Sequence, residues 1–303
     1  MKMTHPPRAE KALNFFINKK AKVLGMNSTE VLTHFMMISD TLDGKFMTED
    51  YMIRNNMMES DIFQTRDSLA VHRVMGIDFA SASDRTVAVV MDVYESNKNE
   101  DDYRYEVREV IVLNPNMEKL SQNEIARDIS SFCLSYQVDM ILCDVTGTQQ
   151  PYASAVVKAL ELKGVNTLVC GYNFAGSNKA KVNMMSYLES NLVGQQTKLP
   201  KKKYHSTHVG CKILHKELLV LKKEKDKTKS QNTQYYAKYP DHDDSVMALA
   251  LANYCIVWIK NLMFKGKMIE LENKRYVPRL NKFQLLSELT HHSESPDSYI
   301  TVF

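Results

Sequence analysis

From Val71 onward the chain alternates. Met75, Ile77 and Phe79 share one face of an extended segment, and Val74, Gly76, Asp78 and Ala80 share the other. Aspartate is depleted from strand interiors, so Asp78 stands out, and its small neighbours leave room for an ion. Thr86 to Val93 and Tyr103 to Leu113 read as two more strands, with Asn97 to Asp102 as the turn between them. Three strands on short links predict an antiparallel meander. Ser121-Gln122-Asn123-Glu124 has the form of a capping box, and Ile125, Ile129, Phe132, Cys133 and Tyr136 behind it form one helical stripe. Val138 to Cys143, apolar apart from Asp139, reads as a central strand buried on both faces, ending at Asp144. In an open α/β sheet, ligands bind at that carboxyl end.

The rest alternates helix and strand. A helix over Tyr152 to Lys163 stops at Gly164, a strand runs from Val165 to Cys170, and a helix over Lys179 to Leu192 stops at Gly194. Ser206 to Glu217 reads as a helix. Leu218 to Leu221 and Thr233 to Tyr239 read as strands flanking a lysine-rich tip. Asp241 to Lys260 is a long apolar helix with an acidic entry. Before Val71, residues 1–65 read as a helical appendage, with helices over Lys11 to Leu24 and Ser28 to Ser39. From Gly266 the chain is polar and irregular, with one short helix near Lys282 to Leu289.

Composition narrows the class. The 303 residues suffice for one large domain or two small ones, and 44% hydrophobic with 25% charged residues is ordinary for a soluble protein. A net charge of +3 does not by itself imply a nucleic-acid partner. Five cysteines without a CxxC pair read as reduced core residues in an intracellular setting, and no run is apolar enough to span a bilayer.

Three acidic positions carry the chemistry: Asp78 on the first strand, Asp144 at the end of the buried strand, and Asp243-Asp244 at the start of the last long helix. Each alone fits a plainer role, as a helix cap or a turn residue. Together they lie where a ribonuclease H-like sheet gathers its carboxylates, and buried carboxylates are best compensated by divalent cations. The fold expected is α/β, a mixed sheet of antiparallel meander and parallel strands flanked by helices, with a small N-terminal helical segment.

Gly76-Ile77-Asp78-Phe79-Ala80 with Asp84-Arg85-Thr86, Cys143-Asp144-Val145-Thr146-Gly147, and His242-Asp243-Asp244 followed by Ala248-Leu249-Ala250 resemble the nuclease domain of the large terminase subunit of tailed bacteriophages. The resemblance covers about residues 70–262, and residues 1–65 look like the end of that family's ATPase domain, leaving 263–303 as a tail. It implies a metal-dependent endonuclease that cuts double-stranded viral DNA during genome packaging with low sequence specificity. It also implies two Mg²⁺ or Mn²⁺ ions held by Asp78, Asp144 and Asp243 or Asp244, with Asp84 as a candidate auxiliary ligand. Sequence alone does not choose between the last pair. His242 is placed as a second-sphere group. The implied partners are DNA and other packaging components (an ATPase domain, a portal, a small terminase subunit), not a membrane, and the implied location is the cytoplasm of the infected host cell. The family's phosphate-binding loop is missing, so the chain reads as the nuclease half, a fragment or a split-gene product.

Lys222, Lys223, Lys225, Lys227 and Lys229, with Lys201, Lys202 and Lys203 upstream, form a candidate DNA grip through phosphate contacts. The plainer reading is a solvated hairpin tip. His205, His208, Cys211 and His215 match no common zinc spacing. Alternatives are another ribonuclease H-like nuclease or resolvase, an actin-like or sugar-kinase-like ATPase, and a non-catalytic DNA-binding packaging module.

Overall fold

Strand β1 (His72–Asp78) lies at the centre of the sheet, pairing antiparallel with β2 (Val87–Glu95) on one side and parallel with β4 (Met140–Asp144) on the other. β2 pairs antiparallel with β3 (Tyr103–Val112), with an irregularity between Val90 and Met91. β5 (Leu168–Tyr172) runs parallel to β4. β6 (Thr197–Lys198) and β9 (Ile300–Val302) close the two edges, giving the order β6-β3-β2-β1-β4-β5-β9. A meander on one side of β1 and parallel strands on the other make this a ribonuclease H-like sheet. The computed structural model describes residues 44–80, 85–95, 103–114, 119–174, 178–225, 233–257 and 300–302.

Alternation along the strands assigns side chains to two helical layers. Met75, Ile77 and Phe79, with Ile141 and Cys143, pack on helices α2 (Gln122–Tyr136) and α3 (Gln150–Leu162). Val74, Val89, Met140 and Leu142 pack on α4 (Asn178–Val193), α5 (Val209–Val220) and α6, which spans 244–257. Helix α2 starts at the expected capping box: Glu124 N donates to Ser121 Oγ at 3.3 Å, and Ser121 N donates to Glu124 Oε2 at 2.8 Å. Gly164, past the end of α3, has φ +63°, a left-handed conformation that glycine adopts without steric cost.

Ahead of β1, a short helix α1 (Glu49–Arg54) is flanked by Phe46, Met47 and Met57, and all three join Met52 in the α4–α5–α6 core. The Ser60–Gln64 stretch is anchored by a buried ion cluster. Asp92 accepts from Arg73 Nε at 2.6 Å and Arg108 Nε at 2.9 Å, while Arg108 Nη1 also reaches the Asp61 carbonyl at 3.1 Å.

Three expectations need correction. Leu218 and Leu219 belong to the last turns of α5, because Leu214 and Leu218 face the core at helical spacing; the strand β7 begins later, at Lys222–Lys225, and pairs with β8 (Thr233–Tyr236). Helix α6 begins at 244 rather than 241. The tail contributes β9, antiparallel to β5, since an edge strand is available for Ile300–Val302 to complete. The helices expected over Lys11 to Leu24, Ser28 to Ser39 and Lys282 to Leu289 lie outside the described residues.

Candidate metal centre

Strand register brings the first two acids together. β1 and β4 run parallel with Val74 opposite Met140 and Ile77 opposite Cys143, so the next positions on the two strands are Asp78 and Asp144. Adjacent strands lie about 4.8 Å apart. Asp78 shares its parity with Val74 and Gly76, and Asp144 with Met140 and Leu142, so both belong to the face covered by α4, α5 and α6.

Helix packing supplies the other two. Ala248 and Ala252 of α6 lie directly against Gly76. Asp78 is two residues further along that face of β1, and Asp244 is one helical turn before Ala248. The two steps run the same way, and Asp243 and Asp244 arrive beside Asp78.

The electrostatics record the convergence. Asp78 is half-buried at the end of β1, and its pKa is pushed well above the ordinary carboxylate range. Burial is the main cause, followed by the negative charges of Asp144, Asp244 and Asp243, while Lys181 acts in the opposite sense. Burial also raises Asp144, opposed by hydrogen bonds from Thr146, whose amide donates to Asp144 Oδ1 at 2.7 Å, and by Lys181. Lys181 Nζ, on the first turn of α4, lies 3.6 Å from Asp243 Oδ2. Asp244 is buried; its Oδ2 accepts from the Arg85 amide at 3.4 Å and lies 3.9 Å from His242 Nδ1.

Four carboxylates against one lysine leave a net negative cluster, whose donor set suits a hard divalent cation that takes oxygen ligands. Beside it, Gln149 Nε2 donates to the Phe79 carbonyl at 2.7 Å, and its Oε1 is buried with no hydrogen-bond partner. A buried orphan acceptor is costly unless it meets a further donor such as a bound water. On these two observations the residues fit a cation site. Among the described residues, no three His, Cys, Asp or Glu side chains are placed so that they could together hold a metal ion.

Lys181, Gln149 and Glu217 were not singled out by sequence, and Arg85 entered only as part of the string Asp84-Arg85-Thr86, with no role assigned. Glu217 did carry a signal, as an acid three residues after Leu214 and next to Leu218, at helical spacing with the apolar stripe; the structure buries it beside Ser245 at the start of α6. Lys181 looked like any polar helix position.

The candidate DNA-binding lysines are partly engaged within the fold. Lys223 Nζ lies 2.8 Å from both oxygens of the buried Glu189. Lys201 pairs with Asp61, Lys203 lies 3.2 Å from Asp61, and Lys202 lies 2.8 Å from Glu49. Lys222 and Lys225 lie on β7. Glu189 is eight residues from Lys181 on α4, which puts the base of the hairpin about 12 Å from the acids along the helix. Asp84, Lys227 and Lys229 lie outside the described residues. His215 bonds to Glu49 at 2.6 Å and Cys211 is buried, as packing residues would be.

No protein-family model matches the chain, and neither does any curated protein. Among solved structures, the large terminase nuclease of thermophilic phage G20c with bound magnesium is 20% identical, over 67% of this chain and 95% of that one, with a TM-score of 0.45. The human cytomegalovirus terminase nuclease domain, soaked with manganese, is 11% identical over 69% and 94%, with a TM-score of 0.45. The nuclease domain of the large terminase subunit of bacterial virus Sf6 is 12% identical over 70% and 99%, also with a TM-score of 0.45. These likenesses concern the path of the chain rather than its chemistry. The strand order itself, a meander on one side of β1 and parallel strands on the other, carries the ribonuclease H-like description of the sheet.

Proposed function

We propose that this chain is a divalent-metal-dependent endonuclease that hydrolyses phosphodiester bonds of double-stranded DNA with low base specificity, in viral genome packaging. The observation that carries the reading is the meeting of Asp78, Asp144, Asp243 and Asp244 at the carboxyl ends of β1 and β4 and the start of α6. Asp78 and Asp144, on rigid adjacent strands, with Asp243 and Asp244, would hold two Mg²⁺ or Mn²⁺ ions. Such ions activate a water and stabilise the leaving oxygen of an in-line displacement. The side chains prepare for this by placement. The strands fix two acids in register, Thr146 orients Asp144, and Arg85 and His242 flank Asp244. Lys181 moderates the repulsion among the acids.

In this reading residues 70–262 are the nuclease domain, 1–65 resemble the end of a terminase ATPase domain, and 263–303 are a tail. Asp84 is proposed as an auxiliary ligand. The lysine-rich hairpin is proposed to grip phosphates, with an ATPase domain, a portal and a small terminase subunit as partners in the cytoplasm of an infected cell.

The test is cleavage of linear, supercoiled and branched DNA with Mg²⁺, Mn²⁺ or chelator, with Asp78→Asn alongside. Metal-dependent cleavage abolished by Asp78→Asn is expected. Undiminished cleavage by that variant rejects the assignment, and nucleotide hydrolysis in place of cleavage would favour an actin-like ATPase.

A further inference from the structure

Asp243 occupies the N-cap of α6, since its carbonyl accepts the first helical bond, from the Met247 amide at 2.8 Å. An aspartate in that place ordinarily turns its side chain back onto the second or third amide of the helix. Here the carboxylate instead lies 3.6 Å from Lys181 Nζ. The second amide, that of Ser245, donates to Glu217 Oε2 on α5 at 2.8 Å, and the Ser245 hydroxyl donates to the same oxygen. Glu217 is 3% exposed and lies 28 residues away in sequence. Arg85 Nη1 is 3.4 Å from the other Glu217 oxygen, while the Arg85 amide donates to Asp244 Oδ2.

We propose that Glu217 is a positioning residue of the acid cluster: it caps α6 from a neighbouring helix, leaving the Asp243 carboxylate free to face a cation, and through Arg85 it steadies Asp244. The proposal rests on the metal-dependent reading above. The first amides of a helix need an acceptor, and the nearest one is the Asp243 side chain. Without a rival acceptor, capping and metal ligation would compete for the same carboxylate. Glu217 removes the competition. A buried carboxylate beside other acids is unfavourable, and it sits near the negative end of its own helix. Two donors from Ser245, the positive end of α6 and the Arg85 guanidinium compensate it.

Two small substitutions separate reach from charge. Glu217→Gln keeps an acceptor at the same reach and loses the charge; Glu217→Asp keeps the charge and is one methylene too short. Mn²⁺ affinity of the full chain, read from the electron paramagnetic resonance of free Mn²⁺, is the readout, with circular dichroism recording the fold. About tenfold weaker binding for Glu217→Asp is expected, with a smaller loss for Glu217→Gln, which keeps an acceptor for Ser245 but turns an amide donor toward Arg85. Equal affinity in all three proteins overturns the proposal, and so does a wild-type value for Glu217→Asp with weakened Glu217→Gln. A wild-type chain that takes up no Mn²⁺ overturns the metal-dependent reading itself, which the variants alone cannot do.

Discussion

A β-carbon added to Gly76 would stand 2.0 Å from the Ala248 carbonyl oxygen and 2.3 Å from the Ala252 amide nitrogen, so β1 and α6 touch backbone to backbone. Both obstacles are main-chain atoms, which cannot swing aside. This contact sets the height of α6 over the sheet and hence the meeting of Asp78 with Asp244. Gly76→Ala should therefore cost about 3 kcal/mol, at the upper end of overpacking effects, and should weaken Mn²⁺ binding in whatever folded population remains. Chemical denaturation checks the first part; a loss under about 1 kcal/mol would mean the helix is free to lift.

Asp78 makes the metal-free protein sensitive to pH in a defined direction. Its folded pKa lies well above the unfolded 3.8, chiefly through burial and then through Asp144, Asp244 and Asp243. Between those two values the folded state holds a proton that the unfolded chain has released. Metal-free stability therefore falls as pH rises from 3.8 through the raised value and levels off above it. Asp144, also raised, adds to the same trend. Asp78→Asn should flatten this slope, raise the metal-free melting temperature near neutral pH, and abolish the stabilisation that Mn²⁺ gives by mass action. Thermal melts across pH, with and without Mn²⁺, read all three; an unchanged slope would separate Asp78 from the other acids.

Asp92 holds two buried arginines, with Arg73 Nε at 2.6 Å and Arg108 Nε at 2.9 Å. Asp92→Asn leaves the buried Arg73 without its counter-charge and Arg108 with Glu106 alone, and should cost about 3–5 kcal/mol. Because Arg73 and Arg108 also bond the carbonyls of Gln64 and Asp61, limited proteolysis around 60–66 should accelerate in the variant. An intact segment in a destabilised protein would show that the ion cluster serves the sheet alone.

The hairpin lysines should divide into two groups. Lys223 is tied to the buried Glu189, so Lys223→Ala should cost about 2 kcal/mol of stability. Neutralising Lys227 or Lys229 should lower the salt dependence of duplex binding by about one unit of slope each. Unfolding curves and binding titrations across salt concentrations separate the two. A salt slope indifferent to Lys227 and Lys229 removes these two lysines from the proposed DNA interface.

Much of this protein is legible along the chain. The alternation around Asp78, the capping box at Ser121 and the apolar run into Asp144 are local patterns, and burial of one strand face or one helical stripe forces them into the elements observed. Strand parity alone put Asp78 on the face of Val74 and Gly76. What local pattern could not decide was whatever depends on a partner distant in sequence. The leucines of 218–221 suit a strand or a helix equally, and the core beneath α5 chose the helix. Ile300–Val302 became a strand only because β5 left an edge to complete. Asp243 looked like an ordinary cap until Glu217, from another helix, took the Ser245 amide. Residue type and periodicity determine which face is buried. Only tertiary packing decides which charges are buried next to one another, because hydrogen-bond competition and Coulomb repulsion act through space and not along the chain.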